Sequence, residues 1–239
     1  MLAALRVLWR ALVHFYDESL LLIRANVVWF VGSIPLFLVV MAAAWVFVPP
    51  VDPESPPVVW PLMLAGFVLL AVPSPLAVGV YALAREIVRG ETPEFGLFWV
   101  AVRRWWRRGL AMFGIGGAVL VALVFNTAFY LQVTQGWLQA VSLLWLYAIL
   151  YWMTLQTYLI PLLLTSEADG EDRGPAVAPL PALYRRAAIL ALANPVFSLV
   201  LLLGTVVVMV LSAIAVPVYP LVGMGYVALV GARKRVVRR

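Results

Sequence analysis

Four stretches of the chain carry no charged residue: Val27 to Val48, Val58 to Ala84, Gly109 to Thr165 and Ala187 to Ala232. A membrane-crossing helix needs about 20 apolar residues. The first two stretches therefore predict one span each, and the last two are each long enough for two. The spans are expected near residues 22–48, 60–84, 109–133, 137–165 and 194–215, with a shorter sixth starting at about Pro217. The second is interrupted by Pro73 and Pro75, and the third and fourth are joined by the polar turn "TQG" at 134–136. Asn194 to Ala232 is 39 residues, which as one helix would be about 60 Å long, twice the hydrocarbon thickness. Pro217 and Pro220 offer the break, because each removes a helical N–H.

The polar intervals between these runs have patterns of their own. Residues 1–19, beginning "MLAALRVLWRALVHFYD", read as a helix lying on the membrane surface. Residues 91–108, from "ETPEF" to "RRWWRR", read as a second amphipathic helix. At 100° per residue its Phe95, Phe98, Trp99, Val102 and Trp106 gather on one face, while Arg103, Arg104, Arg107 and Arg108 spread over the rest. Thr92 is expected to cap this helix and Pro93 to occupy its first position. The chain thus divides into an interfacial helix (1–19), a first hairpin (20–84), an amphipathic helix (91–108), a second hairpin (109–165), a cytoplasmic loop (166–186), a third hairpin (187–232) and a basic tail (233–239). The expected class is all-α, a polytopic helix bundle of about six spans. Five is the alternative if the last apolar stretch crosses once or is re-entrant.

Composition agrees with the pattern. Hydrophobic residues make up 65% of the chain and charged residues only 12%, about half the charge of a soluble domain. The net charge of +6 would suggest nucleic acid in a soluble protein. Here it is explained by retention of Lys and Arg on the cytoplasmic side. With six spans and a cytoplasmic N-terminus, the outer loops around Asp52 and Thr134 contain no Lys or Arg, so the 17 basic residues fall on the inner side. Five spans would turn the tail "RKRVVRR" outward. The membrane partner is then a bilayer with anionic lipids, met by Phe98, Arg103, Arg104, Trp105, Trp106, Arg107, Arg108, Tyr184 and Arg185; nucleic acid is not expected. There is no cysteine, which excludes disulfides and thiolate metal sites. No cleavable signal peptide is expected, since Arg6 and Arg10 interrupt the first apolar residues.

Candidate chemistry is sparse. His14 has no companion for a metal site, and every Asp and Glu lies outside a span or at its end. Ion-coupled transporters place such groups inside the bilayer. No phosphate loop, nucleophile elbow or HExxH is present. Neither enzyme activity nor a metal or cofactor is therefore expected. The interior polar residues are neutral: Asn26, Ser74, Tyr81, Asn126, Thr127, Gln156 and Thr157. They read as hydrogen-bonding glue between helices, or alternatively as the lining of a cavity for an uncharged polar ligand. Gly114, Ala118 and Ala122 have the small-xxx-small spacing of a close helix contact. Arg24 is expected to snorkel or to pair with Glu86 across the first hairpin.

Three segments resemble a known family. "RANVVWFVGSIPLF", with Asn26, Trp29 and Pro35, resembles the first-span signature of the YesL-like family of bacterial membrane proteins. "PSPLAVGVYALAREIVRGETPEFGLFWVAVRRWWRR" resembles its next block through Pro75, Tyr81, Arg89, Gly90, Phe95, Phe98 and Arg103. "LANPVFSLVLLL", with Asn194 and Pro195, resembles the start of the fifth span. The resemblance implies a multi-pass protein of the bacterial cytoplasmic membrane, associated with sugar uptake. On that reading the chain is a non-enzymatic accessory or scaffold beside a sugar permease or a sensor kinase; its oligomeric state is left open. The alternative is a channel or facilitator for a small uncharged solute.

The six-span topology makes a direct prediction. Cysteines placed at Ser55, at Ser166 and after Arg239 should react with an impermeant thiol reagent from outside, inside and inside respectively. External labelling after Arg239 would restore five spans.

Overall fold

The structure, a computed structural model, describes residue 7 and residues 18–47, 59–132, 136–168, 178–214 and 224–230. Every regular element among these residues is an α-helix. They are α1 (Ser19–Phe47), α2 (Val59–Ala71), α3 (Ala77–Arg89), α4 (Gly96–Gln132), α5 (Gly136–Ala168), α6 (Leu180–Ala193) and α7 (Pro195–Ile214). A short helical segment covers 224–230. Of the expected elements, the surface helix over 1–17 (Val7 excepted), the loop at Asp52, the turn at Thr134, the loop residues 169–177, Pro217, Pro220 and the tail lie outside the described residues.

Three helices are long and apolar enough to cross a membrane, over Ser19–Val46, Gly96–Gln132 and Gln139–Thr165. The pair α6 and α7, bent by 99°, adds a fourth if it crosses as one broken span. The count of six is not reached among the described residues. The second expected span is divided into α2 and α3, of 13 residues each, and a helix of that length reaches only about 20 Å. The division falls at Val72–Leu76, where Pro73 and Pro75 remove two successive donors from the helical ladder. Asn194 marks the other bend. Its φ of −143° leaves the helix, as the residue before a proline tends to. Its carbonyl then accepts the Ser198 N–H at 3.0 Å and opens α7, with Pro195 in the first position, where no N–H is needed. The cluster Tyr184 to Arg186, expected on a loop, lies on α6.

The bundle is built around α3. All eight residues from Ala77 to Ala84 are buried, and α1, α4 and α5 pack against this helix. A helical stretch that is apolar all round, as these first two turns are, belongs in the centre of a bundle. Close approach to α4 depends on two glycines. A Cβ on Gly79 would lie 2.6 Å from the Phe98 ring, and one on Gly109 would lie 2.9 Å from the Pro75 Cα. The α3 helix ends at Gly90, whose φ of +84° only glycine adopts without strain. The Glu91 N–H then reaches back to the Glu86 carbonyl at 3.1 Å, a Schellman-type closure.

Helix α4 corrects the sequence reading. The amphipathic helix over 91–108 and the span over 109–133 are one continuous helix of 37 residues, about 55 Å long. No proline interrupts it, and the propensity cost of Gly109, about 1 kcal/mol, is offset by its packing on Pro75. It starts at Gly96 rather than at Thr92 and Pro93: the Glu94 carbonyl accepts the Leu97 N–H and the Phe95 carbonyl the Phe98 N–H, each at 3.1 Å. Its buried stripe is Phe98, Ala101, Val102, Trp105, Gly109, Met112, Phe113, Gly116, Gly117 and Leu120. Gly114, Ala118 and Ala122, expected at a close helix contact, are exposed. Gly109, Gly116 and Gly117 make that contact instead. Nor does Arg24 pair with Glu86. That carboxylate is held within its own helix by Arg89 at 3.1 Å and by Arg85 at 3.8 Å, and Arg85 also donates to the Leu164 carbonyl at 2.8 Å.

The outer surface is apolar. Leu20, Val31, Leu38, Val39 and Val46 of α1, Phe129 and Leu131 of α4, and Leu143 and Leu144 of α5 are all exposed. Patches on this scale suit lipid rather than water.

Gly109→Val should push a side chain into the Pro75 backbone and cost roughly 1–3 kcal/mol. Gly114→Val should be near neutral, because nothing lies within 4 Å of its Cβ position. Thermal unfolding of both variants in detergent tests the assignment, and equal midpoints would refute it.

Candidate functional site

Helix α1 buries Leu22, Ala25, Asn26, Trp29 and Ser33, the i, i+3, i+4, i+7, i+11 stripe of one helical face. Its polar members all meet neighbouring backbone or side chains. The Trp29 indole Nε1–H donates to Ser74 Oγ at 2.9 Å, and the Ser33 and Ser74 hydroxyls lie 3.4 Å apart. Ser74 sits in the break between α2 and α3, so this buried group ties the first helix to the break. Asn26, expected at the inner edge of the span, is fully buried. Its Oδ1 accepts the Gly225 N–H at 2.6 Å, joining α1 to the 224–230 segment. A third lock, Tyr158 to Ser198 at 2.6 Å, joins α5 to α7.

The other expected glue residues behave differently. Asn126 donates to the Ala122 carbonyl, Thr127 to Leu123 and Thr157 to Thr154, at 2.7, 2.8 and 2.7 Å. These are bonds within a single helix. Tyr81 is buried in α3. Gln156 is buried in α5 with its amide beside the Tyr184 hydroxyl. Sequence reasoning missed Ser33, Tyr158, Ser198 and Gly225. Only Ser33 had a signal, since it lies four residues after Trp29 on the same face.

The basic-aromatic rim is divided by the helical repeat. Phe98 and Trp105, expected to anchor the helix at the interface among lipids or spans, are inside the protein, whereas Trp99 and Trp106 are 43% and 44% exposed. Trp105 falls seven residues after Phe98 and four after Ala101, on the stripe that faces α3; Trp106 is turned 100° away. Arg104 and Arg108 hold their guanidinium carbons 5.7 and 5.6 Å from the Trp105 ring centroid. Such a cation–π contact contributes about 0.5–2 kcal/mol, according to its exposure. Arg108 also donates to the Ala178 carbonyl at 2.9 Å, next to the start of α6. The Tyr184 ring stacks on Trp152 at 5.8 Å, and its hydroxyl donates to the Met112 carbonyl at 3.3 Å. Arg103, Arg107, Arg185 and Arg186 remain exposed.

Among the described residues no group of three or more His, Cys, Asp or Glu is placed to hold a metal ion. No protein-family model, curated protein or solved structure matches this chain. The functional reading therefore rests on the locks and the rim.

Ser74→Ala should leave the buried Trp29 N–H without its acceptor and destabilise the protein by about 1–3 kcal/mol. Adding Trp29→Phe removes the orphaned donor, so the double variant should lose less than the sum of the two single changes. Unfolding midpoints that simply add would show that the bond contributes nothing.

Proposed function

We propose that this protein is a non-enzymatic, multi-pass protein of the bacterial cytoplasmic membrane, with both termini cytoplasmic, that acts as an accessory or scaffold for another membrane component. The observation that carries this reading is the division of labour among the polar groups. Asn26, Trp29, Ser74, Asn126, Tyr158 and Ser198 are engaged with helix backbones or with one another, whereas the exposed cations and two Trp residues stand on the outer face of α4 and α6. Arg and Trp are enriched at protein interfaces and at headgroups alike. Asn126, Thr127 and Thr157 bond within their own helices, which argues against a continuous polar path through the bundle and so favours the scaffold over the facilitator. The YesL-like resemblance of the Asn26–Pro35 and Pro75–Arg103 segments supplies the proposed setting, carbohydrate uptake or its sensing, with a sugar permease or sensor kinase as partner. The six-span arrangement belongs to the same proposal.

Within this reading Arg103, Arg107, Arg185 and Arg186 contact anionic headgroups, each contributing on the order of 1 kcal/mol. Replacing all four with Gln should leave the fold intact, since all four side chains are exposed, and should release anionic lipid from protein purified in native lipid discs. The same purification should retain a membrane partner with the unmodified chain. Specific solute flux in liposomes with no co-purifying protein would overturn the scaffold in favour of a facilitator.

A further inference from the structure

We propose that the exposed face of α4 holds one anionic phospholipid, with its phosphate at Arg103 and Arg107 and an acyl chain along a trough at Gly114 and Ala118. The inference rests on the reading of the rim as membrane-facing and narrows it from a charged surface to a single bound lipid.

The face follows from the helical repeat. Helix α4 runs unbroken from Gly96 to Gln132. At 100° per residue Arg103, Arg107, Leu110, Gly114, Ala118 and Phe125 fall within about 40° of one line along it. All six are exposed. From the N-terminal end that line carries two cations, a bulky side chain, two positions with almost no side chain, and an aromatic ring. The spacing has the dimensions of a lipid. Arg107 is about 10 Å along the axis from Gly114, and Gly114 about 16 Å from Phe125, whereas the hydrocarbon of one leaflet is about 15 Å deep.

Gly114 is the second observation, because nothing inside the protein requires it. At Gly109, Gly116 and Gly117 an added Cβ would meet a neighbouring segment at 2.9, 2.6 and 3.3 Å, so close packing offsets their cost to the helix. At Gly114 nothing lies within 4 Å, yet glycine there costs about 1 kcal/mol relative to alanine. Ala118 continues the depression one turn on. Leu110 and Phe125, 43% and 47% exposed, stand at its two ends. What fills it comes from outside the chain.

Charge decides the occupant. A second copy in the same membrane orientation, laid on this face, would set Arg103 and Arg107 against their own counterparts, and like charges in an interface are unfavourable. Neither Arg makes an ion pair among the described residues, since Glu86 is held by Arg85 and Arg89. Guanidinium groups one helical turn apart suit the oxygens of a phosphate. An anionic phospholipid brings that phosphate and an apolar chain in one molecule.

The test uses the full chain, stripped of lipid in detergent and titrated with phosphatidylglycerol or phosphatidylcholine, with retained lipid counted by native mass spectrometry. One phosphatidylglycerol should survive activation that removes every phosphatidylcholine. Glycerol phosphate, which has the charge but no chain, should not compete with it. Replacing Arg103 and Arg107 with Gln should weaken retention about tenfold or more, the effect of removing two surface cations. Ala118→Leu and Gly114→Val fill the trough and leave every charge in place. Each should weaken retention comparably without lowering the unfolding midpoint. Loss in the Arg variant with full retention in both trough variants would overturn the bound lipid and leave the charged rim standing. Equal retention of the two lipids by the unmodified chain would overturn both. A dimer that Ala118→Leu converts to monomer, with lipid retention unchanged, would overturn the proposal by assigning the face to a second copy.

Discussion

A helix interrupted inside a packed bundle loses hydrogen bonds that water cannot replace, so the interruption must be satisfied from within the protein. The Val72–Leu76 break is the place where this protein meets that demand, and the surrounding helices are arranged around it. Trp29 and Ser33 bring α1 to Ser74, and Gly109 brings α4 onto Pro75. Gly116 and Gly117 place α4 against Val72 and Val68. The first two turns of helix α3, which begins just beyond the break, are thereby enclosed on every side. Glycine is useful here because packing between membrane helices gains from close backbone approach rather than from a hydrophobic difference with lipid.

Helix α4 connects this centre to the basic rim. A single helix carries Phe98 and Trp105 against α3 and continues through Gly116 and Leu120 in the bundle. The rim is therefore not a separate element resting on the membrane. Its inner side chains are part of the core, and its outer ones are held at fixed angles to that core by an uninterrupted backbone. Arg104 and Arg108 link the two sets through the Trp105 ring, and Arg108 carries the connection on to Ala178 before α6.

The distribution of polar groups gives the interior two kinds of hydrogen bond. Trp29–Ser74, Asn26–Gly225 and Tyr158–Ser198 join elements that are distant in sequence, and so hold the tertiary arrangement. Asn126 and Thr127 bond within their own helix and leave helix–helix geometry to packing.

The sequence by itself determined where the long apolar helices run and where the second of them is broken. Uncharged length marked α1, α5 and the membrane part of α4, because burying a charge in hydrocarbon is costly wherever it falls. Pro73 and Pro75 marked the break in the second expected span, because the loss of a backbone N–H is a local restriction. Which face of each helix meets protein was decided only by the tertiary structure. In water the hydrophobic pattern separates inside from outside; in a bilayer both surfaces are apolar, so the signal vanishes. Trp105 and Trp106 are adjacent, chemically identical and oppositely placed. Gly114, Ala118 and Ala122 have the spacing of a helix contact, yet Gly109, Gly116 and Gly117 make it. The Asn26–Gly225 bond joins residues 199 positions apart, and only folding brings such a pair within reach.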